Sequence, residues 1–349
     1  MTRILKHRLF WPLIALAVLL AINAITQPRF MKITVRDGEL YGALIDILRN
    51  SAPLMLVALG MTIVIATRGI DLSVGAIMAV SGAVGLTIID SSGSPENLGT
   101  VAVAVVVAVL VALVLGVWNG FLVSVLKIQP IIATLVLMLA GRGVALLITG
   151  GFITTVNSGP FEFIASGYIL GLPFAFLLAM AAVAAVGIFE RRTALGVLTE
   201  AVGINPEASR LAGVRSRSII WSAYVLSGTL AGVAGIIYAS NIKAADANAA
   251  GLFIELNAIL AVVLGGTSLM GGKFSIAGTV IGVFIIQTLE STILFLGVPS
   301  AQSPVFFAAV VVIVVLVQSP RVHRAGRHFT QAIRNRGSSP VPADSEVAA

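Results

Sequence analysis

VAVAVVVAVLVALVLGVWNGFLVSV, residues 101–125, carries no charged side chain from end to end. As an α-helix it can cross the hydrocarbon core of a bilayer, for which roughly 20 residues suffice. Runs at 9–25, 53–66, 131–148, 172–189, 219–238, 276–296 and 305–317 are likewise long or nearly free of charge. Hydrophobic residues make up 58% of the 349 and charged residues only 11%, with a mean hydropathy of +1.05. One soluble core needs far less apolar surface than this, so the excess faces lipid. The composition therefore assigns an all-α polytopic membrane protein.

Ten spans are expected, at 9–26, 51–67, 72–89, 98–126, 130–149, 172–189, 218–239, 253–266, 275–296 and 304–319. With the N-terminus in the cytoplasm, sixteen Lys and Arg fall inside and five outside (Arg29, Lys32, Arg36, Arg49 and Lys243), with Arg142 within a span, which accounts for all 22. Positive residues concentrate on the cytoplasmic side of membrane proteins, so both termini read as cytoplasmic. The first run follows a basic MTRILKHR but is long and lacks a small-x-small cleavage site, so it is expected to remain as an uncleaved span. Residues 1–320 are expected to form one transmembrane domain with a cytoplasmic loop at 190–217, and 321–349 a basic, then disordered, cytoplasmic tail. In ELYGALIDILRN (39–50), Leu40, Leu44, Ile47 and Leu48 suggest a helix lying at the membrane interface.

The net charge of +7 does not indicate nucleic acid, because the basic residues sit beside span ends and not on a face interleaved with aromatics. Absence of cysteine excludes disulfides and thiol chemistry; the three histidines, His7, His323 and His328, lie in the tails, so no metal site is expected. GGKF at 271–274 departs from a phosphate loop, with Thr267 where Gly is required and Phe274 where Ser or Thr is required. No Ser/His or paired-carboxylate arrangement falls at one membrane depth, so no catalytic residue is expected. Any ATP must be hydrolysed by another subunit.

Two spans are interrupted. TRGIDLSVG (67–75) inserts Arg68 and Asp71 between apolar segments, and LGGTSLMGGK (264–273) packs four glycines into ten residues. Non-helical backbone at membrane depth survives only where protein or water satisfies it, so both breaks are candidates to line a pathway, with tight turns as the competing reading. Asp71 followed by Ser73 can also cap the third span. Intramembrane polar groups are costly, which singles out Asn119, Arg142, Gln287 and Glu290. Trp118 beside Asn119 offers an aromatic face and an amide, a combination suited to a sugar ring, against a packing role around Gly120. For Arg142 and Glu290 the competing reading is an interhelical ion pair or snorkelling. The candidate pathway residues are thus Asp71, Ser73, Trp118, Asn119, Thr267, Ser268, Gln287 and Glu290. Gly228, Gly232 and Gly235, and likewise Gly278 and Gly282, recur at helical spacing and are expected to let helix backbones approach closely.

The most polar interruption is ERRTALGVLTEAVGINPEASRLAGVRSR, residues 190–217. Asn205 can cap a helix, Pro206 fits its first position, Glu207 suits the positive end of its dipole, and Gly213 can end it. A short capped helix exposed on a membrane protein is a feature that a soluble partner can grip.

GMTIVIATRGIDLSVGAIMA (60–79), EAVGINPEASRLAGV (200–214) and AVVLGGTSLMGGKF (261–274) together resemble the signature segments of bacterial sugar ABC-importer permeases of the ribose type. LKIQPIIATLVLMLAGRGVA (126–145) and ADANAAGLFIELNAILAVV (245–263) are most similar to the galactofuranose branch; one departure is Arg68, where the family commonly has Gly. The resemblance implies a type II-like importer fold in the bacterial inner membrane. It also implies a second permease subunit, as homodimer or heterodimer, with the pathway at their interface. A cytoplasmic ATPase would hold ATP and Mg, none being bound by this chain, and a periplasmic binding protein would deliver a galactofuranose or ribose-like sugar. Asp37, Glu39, Glu162 and Asp246 would face that protein. Glu200, Gly203, Asn205, Pro206, Glu207, Arg210 and Gly213 would form the ATPase coupling element, and substitution at Gly203 or Glu207 is expected to uncouple hydrolysis from transport without unfolding. An ion-coupled secondary transporter is the alternative. It needs mid-span carboxylates beside broken helices, for which Asp71 and Glu290 are the candidates, and leaves the loop helix without a role. Besides these proteins the chain's partner is membrane lipid, not nucleic acid.

Overall fold

Residues 101–125 lie in one helix in the computed structural model, which describes residues 9–27, 30–36, 38–297, 299, 305–309 and 311–312. The chain divides into units at 1–297 and 298–349; in the second, residues 305–309 and 311–312 are helical. Most of the span expected at 304–319, the tail at 321–349, Asp37, Arg29 and the basic residues before residue 9 lie outside the described residues.

The first unit begins with α1 (Phe10–Thr26), a hairpin of β1 (Thr34–Arg36) and β2 (Glu39–Tyr41), α2 (Ala43–Ala66), α3 (Val74–Ser91), α4 (Leu98–Ser124) and α5 (Pro130–Ile148). Then come β3 (Thr154–Thr155), α6 (Gly159–Ser166), the pair β4 (Tyr168–Ile169) and β5 (Leu172–Pro173), α7 (Phe174–Arg192), α8 (Leu195–Ile204) and α9 (Pro206–Leu211). It ends with α10 (Ser216–Ile242), β6 (Ala244–Ala245, antiparallel to β3), α11 (Ile254–Leu264) and α12 (Ile276–Phe295). Among the described residues, seven helices (α2, α3, α4, α5, α7, α10 and α12) are long and apolar enough to cross a membrane. Because successive long helices from α2 to α10 alternate in direction, α8 and α9 mark one end of the bundle, the loop end, and the short strands mark the other, the ribbon end.

The centre of the bundle is α2. The most apolar 18-residue window of α2 is 78% buried, against 28% for α4 and α5 and 11% for α7. The outer helices therefore leave apolar faces uncovered by the rest of the described chain. Small residues at a spacing of four, Ala104, Ala108, Ala112, Gly116 and Gly120, form the buried stripe of α4. That stripe lies on α10, where a Cβ on Gly228 would meet the Gly116 Cα at 2.7 Å, so the expected close packing is realised.

The interfacial helix expected at 39–50 is not there. Residues 39–41 form β2, and 43–50 are the first turns of α2, which continues through Pro53. Proline removes one backbone donor and normally ends a helix, but within a bundle neighbouring groups can accommodate the freed carbonyl.

A second departure concerns depth. Ser227 of α10 donates to Asp71, and Met78 of α3 faces Gly235, so the two helices run parallel and α3 begins about midway along α10. Gly251 rests against Gly75 in the first turn of α3, each too close to the other's backbone to admit a Cβ. The segment 246–253 thus descends from the ribbon end to mid-depth, roughly 16 Å at 1.5 Å per helical residue of α10. From there α11, with 11 residues, covers only the second half of a span. The break in this region lies before α11. The glycine-rich stretch 264–273 after it is a turn at the loop end, where Gly265 packs on Gly278.

Candidate functional site

At the loop end, Asn205 Oδ1 accepts from the backbone N–H groups of Glu207 (3.1 Å) and Ala208 (3.0 Å), and Pro206 occupies the first position of α9. Gly213, at φ +86°, closes the helix: its N–H reaches the Arg210 carbonyl and the Val214 N–H reaches that of Ser209. Arg210 pairs with Glu207 at 2.6 Å, and its hydrogen bond, reinforced by its charge, holds the Glu207 carboxyl below the usual carboxylate range. Ser209 faces inward, whereas Glu207, Ala208, Arg210 and Leu211 face out, with Leu211 77% exposed. Glu200 is half-buried on α8.

Gly203 does not belong to that outer surface. It is buried, and a Cβ there would overlap the Ala66 carbonyl oxygen at the end of α2. The same carbonyl accepts from Gly272 N–H at 2.9 Å. Arg68, in left-handed backbone at φ +66°, donates from Nε to the Met270 carbonyl and from its guanidinium tip to the Ile204 carbonyl. Both sequence breaks therefore meet the end of α8 in one junction. Thr267 and Ser268 serve the turn itself, Thr267 Oγ1 accepting from Ser275 N–H and Ser268 Oγ from Met270 N–H.

Above the junction lies a buried polar network. Asp71 Oδ1 accepts from the Ser73 N–H (3.1 Å) and hydroxyl (2.6 Å), and Oδ2 from the Ser227 hydroxyl (2.8 Å). Asn119 Nδ2 donates to Ser73 Oγ at 2.7 Å, so α3, α4 and α10 are tied at one level. All four side chains are fully buried. Trp118 is 52% exposed and packs on Phe121, because adjacent helical residues point about 100° apart; it does not share Asn119's face.

Gln287 and Glu290 of α12 lie apart from that network, in a cavity of about 350 Å³ in the ribbon-end half of the bundle. Its floor includes Ala249, Gly251 and Leu252 of the descending segment and Ile254 at the start of α11. Asn50, Tyr238, Asn241 and Asn257 contribute polar groups, and Asn257 Nδ2 donates to Glu290 Oε1 at 3.2 Å. Arg142 makes no ion pair with Glu290. Its guanidinium donates to the carbonyls of Ala247 (2.9 Å), Asn248 (3.4 Å) and Ala250 (2.8 Å), bracing the descending segment. Removing this brace in Arg142→Ala should accelerate backbone hydrogen exchange over 246–252; unchanged protection there would rule the brace out.

The structure thus places Glu207 and Arg210 on the α9 surface, Gly203 at the junction, Thr267 and Ser268 in the turn beside it, Asp71, Ser73 and Asn119 in the buried network, and Gln287 and Glu290 in the cavity, while Trp118 stands apart on the exposed side of α4. Of the acids expected to face the binding protein, Glu162 pairs with Lys243, Glu39 accepts from the Tyr41 hydroxyl, and Asp246 Oδ1 accepts from the N–H groups of Asn248 and Ala249. Sequence reasoning passed over Ser227, Asn50, Asn241 and Asn257, whose signal was an amide or hydroxyl inside or beside an apolar run. It also passed over Glu255, which sits against the first turn of α3 beside Gly75.

Residues 43–315 match the family described as "Branched-chain amino acid transport system / permease component". A galactofuranose transporter permease protein of Escherichia coli (strain K12) is 46% identical over 321 residues, covering 90% of this chain and 92% of the relative. A fructose import permease protein of Bifidobacterium longum (strain NCC 2705) is 42% identical over 327 residues, with 92% and 90% covered. A ribose import permease protein of Escherichia coli (strain K12) is 38% identical over 313 residues, with 88% and 93% covered. No solved structure matches the chain. The chain belongs to this family of permease components, and the resemblance read from its signature segments is borne out.

Proposed function

We propose that this chain is the membrane-spanning subunit of an ABC importer that carries a monosaccharide, galactofuranose or a ribose-like sugar, into the bacterial cytoplasm. The observation that carries this reading is the α9 surface. A capped helix with an exposed apolar and charged face is keyed through Gly203 and Arg68 into both chain breaks. A soluble ATPase pressing on α9 would act through α8 on the end of α2 and on the turn that precedes α12. Hydrolysis belongs to that ATPase, with its ATP and Mg, and this chain supplies translocation. Arg191, Arg192, Arg215 and Arg217 at the loop end support a cytoplasmic loop end, with both termini on that side. The ribbon end would then receive sugar from a periplasmic binding protein. The exposed apolar faces of α4 and α5 leave room for a second permease, as homodimer or heterodimer. Transport would follow as alternating access, with ATP binding and hydrolysis biasing two arrangements of the bundles.

The relatives named above are sugar permeases by their names, which favours sugar over the amino acids in the family's description. The test is Leu211→Asp in proteoliposomes holding the permease, its ATPase and the binding protein. The expected result is loss of ATPase association and of sugar uptake at an unchanged melting temperature. Full uptake by this variant would remove α9 as the docking element.

A further inference from the structure

We propose that the cavity above the descending segment 246–253 is a holding site for one neutral polyhydroxylated molecule inside a single permease subunit. The inference rests on the sugar-permease reading and goes beyond it, because it places a sugar site within one chain and not only at an interface between two.

Several features of the cavity fit such a ligand. A volume of about 350 Å³ lies in the range of small-molecule pockets. Polar side chains within a bundle are costly, yet Asn50, Asn241, Asn257, Gln287 and Glu290, from four helices, line one space. Amides donate and accept, and a carboxylate accepts, which matches hydroxyl groups that do both. Arg49, also on the wall, gives one donor to Asp46 and keeps a buried Nε without a partner, but its charge is offset by Asp46 beside it and by Glu290 on the same lining, so no net positive charge faces the space to favour a phosphate or carboxylate group. Apolar walls at Pro53, Leu54 and Met78 suit the C–H faces of a sugar ring. The floor is unwound backbone, the arrangement in which broken helices form solute sites.

Gln287 is 8% exposed and Glu290 is already held by Asn257, so part of the polar wall is oriented before a ligand arrives. In this arrangement Glu290 and Asn257 bind one side of the molecule, and movement of 246–253 beneath it opens the way toward the loop end.

The test uses the full-length permease in nanodiscs, without ATPase, titrated with D-ribose, D-fructose and D-galactose, and separately with leucine and ribose 5-phosphate. Sugar binding is expected, with Glu290→Gln weakening it ~10-fold or more through loss of a charge-assisted hydrogen bond. Ala249→Leu projects bulk into the cavity from its floor and should abolish binding at an unchanged melting temperature, which guards against a simple folding defect in the first variant. In proteoliposomes with ATPase and binding protein, both variants should raise the KM for uptake. ATP-driven sugar uptake by the unmodified protein with unaffected binding and KM in both variants would overturn the cavity site while leaving the sugar-permease reading intact. Tighter binding of ribose 5-phosphate than of the sugars would overturn the neutral-ligand assignment. No ATP-driven uptake of any sugar, with binding of leucine alone, would overturn the sugar-permease reading itself.

Discussion

Gly203→Ala is expected to lower the melting temperature and abolish ATP-driven uptake together, whereas Glu207→Ala on the same loop leaves the melting temperature unchanged. The alanine Cβ has nowhere to go. It overlaps the Ala66 carbonyl oxygen and crowds Gly272 N–H, the two ends of a 2.9 Å hydrogen bond. Both neighbours are backbone, so no rotamer change relieves the clash, and α8 must back away from the end of α2. Overpacking of this kind costs about 1–3 kcal/mol where side chains can adjust, and the rigid case lies at the top of that range. The same retreat breaks the path from α9 to both breaks, because Arg68 reaches the Met270 and Ile204 carbonyls from between them. This corrects the expectation that substitution at Gly203 would uncouple without unfolding. That expectation remains appropriate for Glu207, whose side chain is outside. A stable, fully active Gly203→Ala would mean that α8 and α2 are not in contact in the working protein.

Most of the bundle can be read from the sequence, because a charge-free run of bilayer length has few alternatives to a helix. The start of α2 departs from the expectation because Leu44, Ile47 and Leu48, read as the apolar face of an interfacial helix, belong to the first turns of the span itself, and nothing local reveals that neighbouring helices will tolerate Pro53 within it. Glycine density does not separate a turn from a pathway break: the stretch 264–273 is richer in glycine and makes the tight turn that was its competing reading, while the segment at mid-depth holds a single glycine, Gly251. Length was the better signal, since the run beginning near residue 253 is too short to cross. The Trp118–Asn119 pairing conflicted with helical geometry from the outset. Asn205, Pro206 and Gly213 were readable because caps are local, whereas the contact that explains Gly203 lies with residues distant in the sequence.

Asp71→Ala is expected to destabilise the protein more than Asp71→Asn, with uptake falling in the same order. The carboxylate is fully buried, and its compensation is three hydrogen bonds together with its place just before the positive end of α3. Among the described residues, no Lys or Arg makes an ion pair with it. Alanine leaves the Ser73 N–H and the Ser227 hydroxyl without this acceptor, at about 1–3 kcal/mol for each group that finds no other. It also loosens Ser73, and with it the bond from Asn119, so the tie among α3, α4 and α10 opens at mid-depth. Asparagine keeps the shape and one acceptor oxygen, which can serve either Ser73 or Ser227 but not both as the carboxylate does. A structural tie therefore predicts graded loss of melting temperature and uptake across the two variants. A carboxylate that carried a coupling ion would behave differently: asparagine would stop transport as completely as alanine while leaving the protein stable. Melting temperatures and uptake rates of the two variants, measured in the same membrane, separate these cases, and a stable, inactive Asp71→Asn would assign Asp71 to ion coupling.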